Sequence, residues 1–216
     1  MKKLVLVMLI VMGFATASNA QKGSLLVYGN LNFASNTDSF GLKSNNYSIN
    51  PGIGYQFSDK WTAGLNFAFG GTQVEKSATS SGNPAPSGNY NKVSFFNAGP
   101  FLRYTYSISS IFSIYGQADF NYLSGKSTPY LTVGGTYTGF GTDLFPAIGV
   151  NLKNGFALNF SFGGISYQSK TYTGTVYNPA NPGIDPPSSA NQFAFTFGQG
   201  ATFGISKNFN IKKHKQ

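Results

Sequence analysis

The sequence predicts an all-β chain: an eight-stranded antiparallel up-and-down β-barrel that crosses a membrane with its strands. Three observations predict it. Residues 47–69 alternate strictly between bulky apolar and small polar side chains. The segments between alternating runs are by turns long and short. A Pro-x-apolar-x-aromatic or aliphatic pattern recurs at Pro51, Pro100 and Pro146.

The alternation carries the most weight. Tyr47, Ile49, Pro51, Ile53, Tyr55 and Phe57 share one parity, and Ser48, Asn50, Gly52, Gly54 and Gln56 the other. After Ser58-Asp59-Lys60 the pattern resumes, with Trp61, Ala63, Leu65, Phe67 and Phe69 set against Thr62, Gly64, Asn66 and Ala68. A period of two marks a strand, and two such runs around a tight polar turn mark a hairpin. The small face holds almost no Lys or Glu. A soluble sheet shows charge to water; a greasy face backed by Gly, Ser, Asn and Thr suits a barrel with lipid outside and a polar interior.

In chain order, residues 1–20 read as a secretory signal. Lys2 and Lys3 precede the apolar run Leu4–Phe14, and Ser18-Asn19-Ala20 offers small residues for cleavage. That run is too short for the roughly 30 Å of a bilayer core, and no later stretch supplies about 20 apolar residues, so any insertion uses strands. Residues 21–209 form the expected barrel, and 210–216 a basic tail on the periplasmic side. The eight strands fall near 24–33, 47–57, 61–69, 92–106, 111–122, 144–152, 156–167 and 192–209. Residues 34–46, 70–91, 123–139 and 168–191 are the long connections; 58–60, 107–110 and 153–155 are the short ones. Short turns on one side and long loops on the other are the arrangement of outer-membrane barrels, which places the chain in the outer membrane of a Gram-negative bacterium. Gln199 stands where Pro stands in the other repeats, on the lipid-facing parity, which suggests a register slip through a bulge.

Composition agrees. Of 216 residues, 21 are Phe, 13 Tyr and 27 Gly, and only 10% are charged. The mean hydropathy of −0.12 would by itself suggest a soluble chain, but half of every barrel strand is polar. With no cysteine, disulfides and thiolate metal sites are excluded. The net charge is +9, two less without Lys2 and Lys3, and its one cluster, Lys212-Lys213-His214-Lys215, reads as a solvated tail. No nucleic-acid motif accompanies it.

The Pro-x-apolar-x-aromatic strands, the aromatic strand ends, the leader and a last strand closing at Phe209 resemble the small outer-membrane β-barrel family of OmpA/OmpX type. The resemblance covers about residues 23–209 and implies a single monomeric barrel domain without a peptidoglycan-binding half. It also implies lipid and lipopolysaccharide as surroundings, and the barrel-assembly machinery as a partner. The chain departs from the pattern by continuing past Phe209.

Catalytic chemistry lacks its parts. The single histidine, His214, lies in the tail, and the six acidic residues are scattered, so no catalytic, cofactor or metal site is expected. Phe69-Gly70-Gly71 and Gly163-Gly164 lack the helix and the Lys-Ser/Thr of a phosphate loop. Two charges share the inward parity, Arg103 and Asp119, opposite or diagonal across the 107–110 turn. They read as a structural lumen pair, or as a gate. Tyr55, Phe57, Trp61, Tyr104, Tyr106, Phe112 and Phe209 read as an interfacial girdle. An extracellular ligand would meet the long loops, at Val176-Tyr177-Asn178-Pro179 or Ile184-Asp185-Pro186-Pro187. The role expected is structural or adhesive; the alternatives are a narrow pore for small solutes and a soluble lipocalin-like carrier. N-terminal sequencing of the exported chain should start near Gln21, and a chain that still begins at Met1 would contradict the leader.

Overall fold

A computed structural model describes residues 22–37, 43–75, 90–128, 135–173 and 188–211. The leader, the apolar loop points at 176–179 and 184–187, and the basic cluster with His214 lie outside the described residues. The strands are β1 (Ser24–Thr37), β2 (Lys43–Gln56), β3 (Trp61–Glu75), β4 (Tyr90–Ser107), β5 (Phe112–Thr128), β6 (Gly135–Asn151), β7 (Phe156–Thr173) and β8 (Ser188–Asn210). Each pairs antiparallel with its sequence neighbour, and β1 pairs with β8, closing the barrel.

Most strands run further toward the long-loop end than their apolar alternation. β6 begins at Gly135 rather than Leu144, β7 ends at Thr173 rather than Tyr167, and β3 continues to Glu75. The extra residues are largely Gly, Ser, Thr and Lys, so they give no period-two hydrophobic signal. Alternation marks the part of a strand that must face acyl chains, which is about 10 residues; hydrogen bonding carries the ladder past it.

The faces sort as the parity requires. Ile53, Leu65, Phe203 and Ile205 stand exposed on the outside, Leu65 at 50%, while Gly52, Gly54, Gln56, Thr62 and Asn66 turn inward and are buried. Trp61 and Tyr104, facing each other across β3 and β4, meet edge to face with centroids 4.9 Å apart. Lys60 extends over the Tyr104 and Tyr106 rings, its Nζ 6.0 and 5.6 Å from their centroids, as a snorkelling cation does at an interface.

The prolines show why they are tolerated. Pro51, Pro100 and Pro146 keep their places opposite Gly29, Leu65 and Gly116 on the preceding strand. On the following strand the pairing breaks at each one: from Ile49–Phe69 to Gly52–Asn66, from Ala98–Tyr122 to Phe101–Asp119, and from Leu144–Ile165 to Ala147–Ser161. A residue without an N–H can sit in a ladder only where that donor is not needed.

The short turns are built by serine. The Ser58 hydroxyl accepts from the Trp61 amide at 3.0 Å, and the Ser109 hydroxyl from the Phe112 amide at 3.0 Å. The third turn uses the left-handed pair Asn154 (φ 63°) and Gly155 (φ 76°), the hairpin signal visible in the sequence.

Irregularity gathers at β7 and β8. Between Ser161 and Gly163 the β7 partners move from Thr202 to Phe197, two steps on β7 against five on β8. Residues 198–201 lie between these pairs against Phe162 alone on β7, an excess of three, so Gln199 falls inside the register shift. Gly163, at φ 94°, supplies the backbone conformation that this bulge needs. The closing ladder is short: β1 and β8 pair only from Ser24–Asn210 to Gly29–Ile205 among the described residues.

Inside, Phe101 is 2% exposed and its ring lies over the facing glycines Gly54 and Gly64. A Cβ at Gly54 would come 2.7 Å from the ring, and one at Gly64 likewise. Gly64→Val should therefore lower the unfolding free energy of the detergent-folded barrel, measured by urea titration, by about 1–3 kcal/mol. The outward neighbour change Leu65→Ile should stay within about 0.5 kcal/mol of the parent.

Candidate functional site in the barrel lumen

Inward parity on adjacent strands brings one polar cluster to the middle of the barrel. β1 contributes Tyr28, β4 contributes Phe101 and Arg103, and β5 contributes Tyr115, Gln117 and Asp119. Arg103 is 5% exposed. Its guanidinium carbon lies 4.2 Å from the Tyr115 ring centroid, 4.6 Å from Tyr28 and 5.8 Å from Phe101. Tyr28 and Phe101 themselves pack edge to face, at 5.3 Å and 87°. Three rings thus surround the buried cation on its faces, an arrangement favoured by their negative π-clouds when water is excluded.

The guanidinium edge is met by an amide. Arg103 Nε donates to Gln117 Oε1 at 2.7 Å. Gln117, only 1% exposed, then donates from Nε2 to Asp119 Oδ1 at 2.7 Å and to the Tyr28 hydroxyl at 3.0 Å. Arg103 and Asp119 are therefore joined through one neutral side chain, with no direct ion pair between them. The register explains this: Gln117 stands opposite Arg103, Phe101 stands opposite Asp119, and the two charges are diagonal. The glutamine bridges the two charged groups without requiring them to approach.

Below this cluster the lumen is filled. Leu26 and Ala147 are buried, Ser24 Oγ and Gln56 Oε1 are 3.2 Å apart, and Asn159 Nδ2 donates to Ser206 Oγ at 2.9 Å. Gln56 also donates to the Asp59 carbonyl at 3.1 Å, tying the lumen floor to the first short turn.

Above the cluster the lumen opens into a cavity of about 740 Å³. Amides and hydroxyls dominate its wall, among them Asn30, Asn50, Asn66, Asn97 and Asn121. Asn50 donates to Asn30 Oδ1, and Thr72 Oγ1 to Asn46 Oδ1 at 2.6 Å. Asp143 of β6 lines the cavity too, directly across the ladder from Asp119. Asn66 is 9% exposed and hydrogen-bonds Asp119, while its Oδ1 and that of Asn97 are buried without a partner.

Three of these residues escaped sequence reasoning. Gln117 has the inward parity but no charge to draw notice. Asp143 lies one residue before the apolar start of the sixth strand. Tyr28 has the inward parity of β1, yet its role against Arg103 depends on barrel closure, which sets residues of β1 and β4 face to face. The parity of β6, extended upward, was the available signal for Asp143.

Among the described residues there is no group of three or more His, Asp or Glu that could hold a metal ion, and no histidine to act as a general base. What the arrangement can do is hold charge, close a passage and accept hydrogen bonds.

The comparisons agree with this architecture. The profile of a family described as outer membrane protein β-barrel domain matches residues 4–185. A solved structure, the outer membrane protein OprG from Pseudomonas aeruginosa, superposes with a TM-score of 0.51 at 14% identity, covering 91% of this chain and 100% of that one. That likeness is one of fold. None of the curated proteins matches the sequence. The exposed apolar exterior, the polar lumen and the matched profile agree: the chain belongs to the outer membrane protein β-barrel domain family, and its place is the outer membrane of a Gram-negative bacterium.

Proposed function

We infer that this barrel is a non-conducting, non-catalytic outer-membrane protein whose role is structural and interactive. It shields its own backbone from lipid and offers its extracellular side to a ligand or a neighbouring surface. The observation that carries this reading is the buried floor: Arg103 among the Tyr28, Phe101 and Tyr115 rings, bound to Gln117 at 2.7 Å. An eight-stranded barrel is just wide enough for its own side chains, and these fill the periplasmic half. The lumen pair Arg103 and Asp119, linked by Gln117, is then a structural support and not a gate. Interfacial aromatics and Lys60 suit contact with lipid and lipopolysaccharide. Phe209, near the end of β8, is the aromatic that the barrel-assembly machinery would read. The monomer is sufficient, because the sheet closes within one chain.

The competing reading is a narrow pore, favoured by the cavity above the floor. A soluble lipocalin-like carrier would need its apolar face inside, and here Ile53, Leu65 and Phe203 are outside.

In planar bilayers the folded protein should give no steady unitary conductance. Arg103→Ala should also stay closed, because three rings remain in the floor, while its urea midpoint falls. A large conductance in the parent or in Arg103→Ala would establish the pore instead. Gln117→Leu removes the acceptor of Arg103 Nε and a donor to Asp119. It should destabilise the barrel by about 3 kcal/mol, the scale of leaving buried charged groups unmet. A loss below about 0.5 kcal/mol would show that the network is dispensable.

A further inference from the structure

The outer wall of the long-loop half carries its positive charge on one side. Lys92 of β4 and Lys126 of β5 share the outward parity of Phe96 and Tyr122, and both are exposed. Lys126 stands opposite Ser94 and Lys92 opposite Thr128, so the two lysines are diagonal neighbours across one ladder, about 7–8 Å apart at the backbone. The residues beside them on the flanking strands, Gln73 and Thr136, are uncharged. The nearest acidic position on that face, Glu75, stands opposite Tyr90, a pleat further up. Along the described parts of β6, β7, β8 and β1 this half of the outer wall has no lysine, because Lys170 turns inward over the Tyr137 ring.

Hydroxyls gather around the pair. Ser94 and Ser124 share its face, and the Tyr47 hydroxyl lies over Gly71, the residue paired with Ser94. A Cβ at Gly71 would stand 3.0 Å from that oxygen. Toward the membrane centre lies a shelf of rings, Phe69 against Phe96 with centroids 5.1 Å apart and Tyr122 against Phe140 at 6.1 Å. Each lysine is four residues above its ring, Phe96 or Tyr122. At a rise of about 3.4 Å per residue and a tilt of about 40°, that places it about 10 Å above the rings. Aromatic rows mark the edge of the hydrocarbon, and the head-group layer begins there.

Two ammonium groups held side by side repel each other, and an anion between them reverses the sign of that interaction. The hydroxyls add neutral donors for an oxyanion, and the rings beneath suit an apolar body joined to it. We propose that the β4–β5 outer wall is a docking surface for the phosphorylated head group of an outer-leaflet glycolipid, the lipopolysaccharide class. Lys92 and Lys126 meet phosphate oxygens through charge-assisted hydrogen bonds, with the Ser94 and Tyr47 hydroxyls beside them. Phe96 and Tyr122 rest against the acyl chains. This deepens the lipid contact inferred above and rests on the long loops facing away from the cell.

The test is native mass spectrometry of the folded full chain, released from detergent that contains lipid A with both phosphates, or phosphatase-treated lipid A as the counterpart. The phosphorylated lipid should stay bound and the dephosphorylated one should not. Lys92→Gln combined with Lys126→Gln should weaken binding about ten-fold or more, the scale of two basic residues at an anionic surface. Lys43→Gln combined with Lys170→Gln removes the same charge from the same end of the barrel, away from the patch, and should bind as the parent does. Inorganic phosphate should not displace the lipid. The heat-dependent gel shift of a folded barrel identifies variants that are fit to measure. Equal retention of the two lipids, an equal loss in both double variants, or displacement by inorganic phosphate would each overturn the proposal. So would a detergent-solubilised dimer that the Lys92 and Lys126 changes dissociate, which would give this wall to a second copy of the chain. Absent lipid binding with no conductance removes only the docking surface; conductance in the parent removes the closed floor and leaves the docking surface in place.

Discussion

Inside a bilayer a strand has no water with which to satisfy its N–H and C=O groups, and each unmet group costs several kcal/mol. That constraint organises this molecule. It forces the sheet to close on itself, and closure fixes which residues look outward and which look in. The same accounting explains the prolines: each one breaks the ladder toward the following strand and leaves the ladder toward the preceding strand intact. It also singles out the β1–β8 closure, which holds from Ser24 to Gly29, as the seam where the sheet has least backbone pairing.

Closure creates a second problem, which is how to fill a narrow polar interior. The short-turn half solves it with size complementarity and charge. Phe101 occupies the space left by Gly54 and Gly64, and Arg103 fills the remainder among aromatic rings. A buried guanidinium needs a partner, and a direct carboxylate contact would demand close desolvated approach of two ions. Gln117 avoids that demand by accepting from one charge and donating to the other. The long-loop half is left roomy and rich in acceptors. The two halves therefore have different physical characters: one is a filled support, the other a polar well.

Much of this was legible in the sequence because lipid imposes a strict period of two. Ile53, Leu65 and Phe203 declared the outer face, and Asn50, Asn66 and Asn159 the inner one. Ser58 and Asn154-Gly155 marked the turns. Strand length was not legible, since above the membrane the residues Thr136, Thr138 and Thr171 follow no apolar rhythm. Asp143 was lost for that reason. Gln117 was lost for another: a neutral amide acquires its importance only when closure sets Tyr28 and Asp119 around it. The bulge at residues 198–201 was signalled by Gln199 on the wrong parity, but its three-residue excess depends on pairing with β7, which no local pattern reveals.

Because the chain has no native cysteine, single cysteines can be placed and labelled one at a time. Nitroxide labels at Ile53, Leu65 and Phe203 in a reconstituted bilayer, compared with labels at Asn50, Asn66 and Asn159, measure which wall meets lipid. The account predicts strong relaxation by dissolved oxygen and little by a water-soluble nickel reagent for the first three, with no lipid signature for the second three. The reverse pattern, with Leu65 shielded and Asn66 in contact with acyl chains, would contradict it.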